Sequence, residues 1–390
     1  MVTIQTLLDG IPEKIRERQA QKVVLEKQFQ AHMQDIVIYG CGNLGCNLGE
    51  SLLAAGWEVR YYIDANKDTE LDKRILNLQD AADYLSPDAL IIVAVYNIYL
   101  EFAPIRALLR EKGFQNIHSV LELRVWPELF QGGHLHDSIS WDIAHIPTDR
   151  VLRAYELMGD ELSRQSFEDV LRFFISSTDV DFHLCPLEQQ YMPGGVYQPL
   201  EKEHIIDCGA FDGDSMRAFA ERLPGVGSYV GIEPDPKNYQ RLQESIQRDL
   251  PEHLRAEAIQ AAVSDSIGSA MFEAVGNSTS HITAGVRPGM AEVPVVTLDD
   301  VITEPVTLIK MDVEGFELRA IHGAERLILL NQPLLQICVY HRQSDLWEIP
   351  LYLRELLPNH RILLRNYVGV VEYVCYAVPA DRVVSECGRL

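Results

Sequence analysis

The chain has no apolar run near the ~18 residues that a membrane-spanning helix needs. Its most apolar stretch, ALIIVAVY at 89–96, is less than half that length. The N-terminus has no apolar core of the kind a secretory signal carries. Basic residues are scarce: 34 Lys and Arg stand against 57 Asp and Glu, for a formal charge of -23. Binding a polyanion draws on clustered Lys and Arg, so this balance excludes a nucleic-acid partner and disfavours an anionic membrane surface. The seven cysteines include no Cys-x-x-Cys pair. They read as free thiols of a reducing, cytoplasmic compartment, with Cys208, Cys338 and Cys375 in apolar strands. His134, His136 and His145 match no strong zinc spacing and have no cysteine beside them, so their Gly- and Pro-rich stretch reads as a solvated loop.

What is present is enough for two α/β domains. The chain has 390 residues, 47% of them hydrophobic. Residues 1–34 are polar and helix-prone, a helical arm that packs on the next domain or on a second copy of the chain in a homo-oligomer. Residues 35–125 read as a Rossmann-like domain, 126–199 as a helical connector, and 200–390 as a second α/β domain. The fold class is therefore α/β with two doubly wound units.

In the first unit, the strand DIVIYG runs into Gly40, Gly42 and Gly45, which open a helix. Asp64 ends the next strand, about 20 residues further on. Strand, Gly-x-Gly-x-x-Gly, helix and acid are the parts of a dinucleotide site. Two readings stay open: a bound NAD or nucleotide-sugar, or a scaffold whose glycines serve helix–strand packing.

The second unit is organised around HIIDCGAFDGDS at 204–215. An apolar strand runs into Asp207. Gly209, Ala210 and Gly213 form a tight turn, and a helix follows. Gly209 and Gly213 let a ligand lie against bare backbone. Glu233, at the tip of the next strand, is placed to accept from a ribose diol. Asp207 and Asp214 repel a pyrophosphate but suit the ammonium and sulfonium charges of S-adenosylmethionine. A third strand, IQAAVSD, ends in Ser264 and Asp265, and MFEAV, VPVVTLDD and TLIKMD are further strand candidates. RILLRNY and EYVCYAV read as an antiparallel pair at the sheet edge.

The stretch TLIKMDVEGFE places Lys310, Asp312 and Glu314 two apart. On an extended strand they share one face. Charges on a buried strand need partners or a cleft, so the trio is assigned to the site. A salt-bridged Lys310–Asp312 pair that shapes the strand end is the competing reading. His281, in GNSTSHITAG, and His341, after LLQICVY, are candidates to take a proton from a hydroxyl.

These stretches resemble the FkbM family of S-adenosylmethionine-dependent methyltransferases. The resemblance runs in order through IDCGAFDGDS, GIEPDPKNYQRL, AAVSD with Gly268, VTLDD and LIKMDVEGFELRAIHGA, over the last ~190 positions. EQQYMPGG, just before, is similar to the approach segment of relatives with an N-terminal Rossmann-like unit. The resemblance implies a seven-stranded class I methyltransferase fold and O-methylation of a hydroxyl on a sugar, glycan or secondary metabolite. It implies that Asp207, Gly209, Ala210 and Gly213 hold the methionine end of the cofactor. Glu233 then binds its ribose, and Ser264 and Asp265 lie near adenine. Lys310, Asp312 and Glu314 line the acceptor site. Asp312 and His341 alone are a thin set for a divalent ion, so no metal is predicted. The rival functions are an NAD- or nucleotide-sugar-binding enzyme run by the first unit, and a non-catalytic nucleotide-sensing scaffold.

Overall fold

The computed structural model describes residues 3–33, 35–64, 74–95, 102–130, 140–176, 180–251, 254–273, 281–282 and 290–384. His134 and His136 lie outside them. No helix among the described residues is long and apolar enough to cross a membrane. The chain divides into two compact units, residues 1–147 with 171–180, and residues 148–170 with 181–390. The stretch 126–199 is thus divided between the two.

In the first unit, α1 (Ile4–Asp9) and α2 (Ile11–Ala31) form the N-terminal arm. Pro12 sits in the first turn of α2, where its missing N–H costs nothing. Phe29 on α2 is buried edge-on against Trp57 and Trp126, with ring centroids 5.5 Å away in each case. That burial anchors the arm within its own unit. Five strands follow: β1 (Ile36–Tyr39), β2 (Val59–Ile63), β3 (Ile75–Leu76), β4 (Leu90–Val93) and β5 (Ile117–Ser119). They pair in parallel in the order β3-β2-β1-β4-β5, with α3 (Asn43–Ala54), α4 (Ala81–Tyr84) and α5 (Phe102–Glu111) in the connections. A Cβ on Gly45 would lie 1.9 Å from the Gly40 carbonyl oxygen, so Gly45 is required by the approach of α3 to the end of β1. Asp64 accepts from the Cys41 amide at 2.8 Å. Packing thus accounts for Gly45, while a Cβ on Gly42 would meet open space.

The second unit opens with α6 (Thr148–Glu156), and α7 (Glu161–Ile175) begins in it, its residues from Leu171 on belonging to the first unit. Its main sheet holds β6 (Glu203–Cys208), β7 (Val226–Ile232), β8 (Arg255–Ile259), β13 (Leu308–Met311), β14 (Leu334–Cys338), β15 (Arg361–Asn366) and β16 (Tyr373–Val378). The order is β15-β16-β14-β13-β6-β7-β8. β6, β7, β8, β13 and β14 are parallel, and β16 runs antiparallel between β14 and β15. This is the doubly wound sheet with the expected antiparallel hairpin. Every residue of β13 and β14 is buried, so Lys310 on β13 and Gln336 on β14 need polar partners there.

The expectation for the middle of this unit needs correction. IQAAVSD is not one strand: β8 stops at Ile259, and Ala262–Val263 is a separate strand, β9. With β10 (Gly268–Glu273), β11 (His281–Ile282) and β12 (Met290–Val296), β9 builds a second sheet of order β11-β10-β12-β9. Sequence pattern marks β10 and β12 as strands but not the short β11, and it carries no record of which sheet a strand joins. The helices are α8 (Asp214–Arg222), α9 (Pro236–Asp249), α10 (Leu298–Val301), α11 (Glu317–His322), α12 (Glu325–Asn331) and α13 (Asp345–Leu356).

Gly209, at the end of β6, has φ +75, and a Cβ there would fall 1.8 Å from the Asp312 carbonyl oxygen. Gly209→Ala must both strain φ and push the ends of β6 and β13 apart. We expect a loss of about 2–4 kcal/mol in urea unfolding of the full chain. A loss below about 0.5 kcal/mol would show that these strand ends are not packed as described.

Candidate active site

The register of β6 and β13 sets Asp207 opposite Lys310. Lys310 Nζ donates to Asp207 Oδ1 at 2.8 Å and to the Gly209 carbonyl at 2.9 Å. The other Asp207 oxygen accepts from Tyr229 Oη at 2.8 Å and from Ser215 Oγ. Asp207 is fully buried and Lys310 nearly so. Burial pulls the lysine pKa down, but Asp207, then Asp312 and Asp214, outweigh it and hold it above the usual lysine range. Asp207 thus takes three protein donors and braces the glycine turn. The strand-shaping partner of Lys310 is Asp207, not Asp312.

Lys310, Asp312 and Glu314 do not share one extended face. β13 ends at Met311, and Glu314 takes a left-handed φ of +54. Asp312, two residues past Lys310, donates its amide to the Cys208 carbonyl at 3.0 Å. Its carboxylate accepts from Tyr191 Oη at 3.2 Å and from Tyr340 Oη at 3.1 Å. Burial works against its ionisation, but Lys310 and His341 hold its pKa below the ordinary carboxylate value. A quarter of the Asp312 side chain stays exposed.

His341 follows β14. Its Nδ1 donates to Glu317 Oε1 at 2.8 Å, and that same oxygen accepts from the Val313 amide at 2.8 Å. His341 Nε2 lies 3.5 Å from Asp312 Oδ1 and 3.7 Å from Glu314 Oε2. Burial lowers the imidazole pKa, yet Glu317, Glu314 and Asp312 together raise it well above the usual histidine value. The three carboxylates thus favour the charged imidazole over the neutral one. Glu314 is pushed up to about 7, first by desolvation and then by Asp312 and Glu317, against the pull of His341.

Of the remaining expected residues, Gly209, Ala210 and Gly213 form the turn beside this cluster. Gly209 N and Ala210 N both donate to the Ile232 carbonyl, and Gly213, at φ +88, caps α8. Glu233 follows β7, nearly buried, and accepts from the amides of Phe211 and Asp235 at 2.9 Å each. Ser264 and Asp265 follow β9 of the second sheet. Ser264 N donates to the Val296 carbonyl, and Asp265 is forked by Arg319 at 2.7 and 3.0 Å. His281 lies on β11 of that sheet, paired with Glu273, and its side chain lies outside the described residues. His145 pairs with Asp142 on the surface of the first unit.

Sequence reading missed Tyr191, Tyr229, Tyr340, Glu317 and Glu372. Tyr191 was visible only as part of EQQYMPGG. Its ring lies 5.2 Å from Lys310 Nζ, and its carbonyl accepts from Gln336 Nε2 at 2.6 Å. Gln190, next to it, donates to Glu372 at 2.8 Å. Glu317 was the one legible omission, since it completes the acidic pattern of DVEGFE.

Two outcomes follow from this electrostatic arrangement. Lys310→Met leaves Asp207 buried without its counter-charge and should cost about 3–5 kcal/mol in urea unfolding, with less than 1 kcal/mol contradicting the pair's structural role. Burial raises Glu233 from 4.5 to about 7, against its two amide donors. A carboxyl whose folded pKa is raised favours the fold below about 4.5 and loses that contribution as pH rises through about 7. Glu233→Gln should therefore remove a fall in stability on the order of 3 kcal/mol across that window. Parallel pH-stability curves for variant and parent would contradict this.

Residues 207–367 match the family profile described as Methyltransferase FkbM domain. The chain is similar in structure to the FkbM methyltransferase of Methylobacillus flagellatus KT, with TM-score 0.71 at 19% identity, covering 96% of this chain and 100% of that one. Looser matches are an rRNA methylase from Streptococcus thermophilus (TM-score 0.30, 11% identity, 46% of this chain and 88% of that one) and Aeropyrum pernix fibrillarin with S-adenosyl-L-methionine (0.27, 11%, 45% and 66%). Both are too distant to carry an argument. No curated protein matches the chain. Residues 207–367, from the end of β6 to just past β15, carry the match to the FkbM methyltransferase domain.

Proposed function

We propose that the second unit transfers the methyl group of S-adenosylmethionine to a hydroxyl oxygen of a sugar, glycan or secondary metabolite. One observation carries this reading. The glycine turn after β6 meets Asp312 at Gly209 and the acid after β7 at Phe211, and Asp312 belongs to a cluster of ionisable groups at a partly exposed strand end.

In this reading the backbone of Gly209, Ala210 and Gly213 receives the methionine end, and Glu233 accepts from the ribose hydroxyls. Glu233 already takes one amide on each oxygen, and each oxygen keeps a further lone pair for a ribose hydroxyl. Ser264 and Asp265 stay on the adenine side as residues that shape the loop. Asp312, with the hydroxyls of Tyr191 and Tyr340, orients the acceptor. Glu314, at about 7, has the acidity suited to taking a proton near neutral pH. The acceptor oxygen attacks the methyl carbon in line. The carbon–sulfur bond breaks with its electron pair going to sulfur, and the hydroxyl proton passes to Glu314. Orientation supplies most of the acceleration.

Calorimetric titration of the full chain tests the reading. S-adenosylmethionine and S-adenosylhomocysteine should bind in the micromolar range, and Glu233→Ala should weaken both at least about tenfold while far-UV circular dichroism is unchanged. Glu314→Gln should keep that affinity and lose turnover at least about a hundredfold on any accepted hydroxyl substrate. Unchanged affinity in Glu233→Ala, or unchanged turnover in Glu314→Gln, would remove the corresponding assignment.

A further inference from the structure

The glycine turn of the first unit is a motif that methyl transfer leaves unused. It reads GCGNLGC at 40–46, with Cys41 inside the glycine spacing and Cys46 directly after Gly45. The backbone is pinned at both cysteines. The Cys41 amide donates to Asp64 at 2.8 Å, and the Cys46 amide donates to the Gly42 carbonyl at 3.0 Å in the first turn of α3. Their sulfurs lie 3.9 Å apart, and Cys46 Sγ makes a weak bond to the Cys41 carbonyl oxygen at 3.6 Å.

Packing does not account for this pair. Cysteine is among the most buried residue types, as Cys208, Cys338 and Cys375 are here. Cys46 is instead exposed and Cys41 half-buried. Gly42, next to Cys41, is exposed, and a Cβ on it would meet nothing within 4 Å, so a small solute can approach the turn. Bonding takes the sulfurs from 3.9 Å to about 2.05 Å. A change of staggered rotamer about one Cα–Cβ bond carries a sulfur about 3 Å, which covers that approach. Among the other described cysteines, Cys185 is the one not buried, and it lies in the second unit.

We infer that Cys41 and Cys46 are a redox modification site, at which a hydroperoxide converts the dithiol into a disulfide across the glycine turn. With hydrogen peroxide, the sulfur of Cys46, the more exposed of the two, attacks the O–O bond. That bond breaks, leaving a sulfenic acid on Cys46 and releasing one water. The Cys41 sulfur then attacks the Cys46 sulfur. The sulfur–oxygen bond breaks, and the hydroxyl leaves with the Cys41 thiol proton as a second water. The two thiols together give up two electrons and two protons, and the peroxide is reduced to water. In a reducing compartment such a bridge is transient, formed under oxidant and undone by thiols. The site belongs to the first unit and does not rest on methyl transfer in the second.

The test treats the folded, reduced full chain with hydrogen peroxide, then denatures, alkylates and digests it with trypsin. No Lys or Arg lies between Lys27 and Arg60, so both cysteines fall in one peptide, 28–60. That peptide should lose both alkyl labels and a pair of hydrogen atoms at least about tenfold faster than Cys185 loses its label. Dithiothreitol should restore both labels. Cys41→Ser should halt at the Cys46 sulfenic acid, which dimedone traps. The parent peptide decides the matter alone should the variant fail to fold. A peptide 28–60 that keeps both labels while Cys185 or Cys387 loses its own overturns the inference. A bridge from Cys41 or Cys46 to another cysteine or to a second chain overturns it too. So does a sulfinic acid on either sulfur with the other still labelled.

Discussion

The buried pair of Lys310 and Asp207 is the interaction on which the second unit's site depends. Burying two charges costs several kcal/mol for each ion, and only tight geometry with every remaining hydrogen-bonding position filled offsets it. That condition is met: Asp207 takes Lys310, Ser215 and Tyr229, and Lys310 adds the Gly209 carbonyl. The pair joins the central strands β6 and β13 where the turn begins. It fixes the Gly209 turn on one side and carries β13 to its end at Met311 on the other, so Asp312 emerges directly against the turn. Backbone strain gathers around the same place. Among the described residues, the non-glycine positions at positive φ are Tyr191, Phe211, Glu314 and Gln332, and the first three border the site. Strain of this kind persists where the surroundings over-determine the conformation, as at ligand sites.

From that brace the chemistry is graded outward. Lys310 is sealed. Asp312 is partly open and held ionised, and Glu314, at the rim, is held near 7. Glu317 and His341 sit between them as a buried hydrogen-bonded pair. A carboxylate behind an imidazole fixes which ring nitrogen faces the site, and here Nε2 is turned toward Asp312 and Glu314. In the methyl-transfer reading, one arrangement thus provides an orienting acceptor and a proton acceptor.

The architecture was largely legible because parallel strands buried on both faces are written as apolar runs, as in LIIV of β4. Glycines that turn a strand into a helix are equally plain at Gly40, Gly45, Gly209 and Gly213. What sequence could not supply was partnership at a distance. Lys310 meets Asp207 through strand register, 103 positions apart, and nothing in TLIKMD distinguishes that partner from Asp312. Tyr191 reaches the site from a segment with no strand or helix pattern. β10 and β12 read as strands and β11, in GNSTSHITAG, did not, while the sheet they join is a tertiary choice. The pairing of His341 with Glu317 was not legible either, because Glu317 lies across a turn.

The most direct test is a crystal structure of the full chain with S-adenosylhomocysteine. The account predicts the ribose on Glu233, the amino-acid end along Gly209–Gly213, and the sulfur facing the cluster of Asp312, Glu314 and His341. A ligand seated instead on the Gly40–Gly45 turn of the first unit, with the second unit's turn vacant, would contradict it.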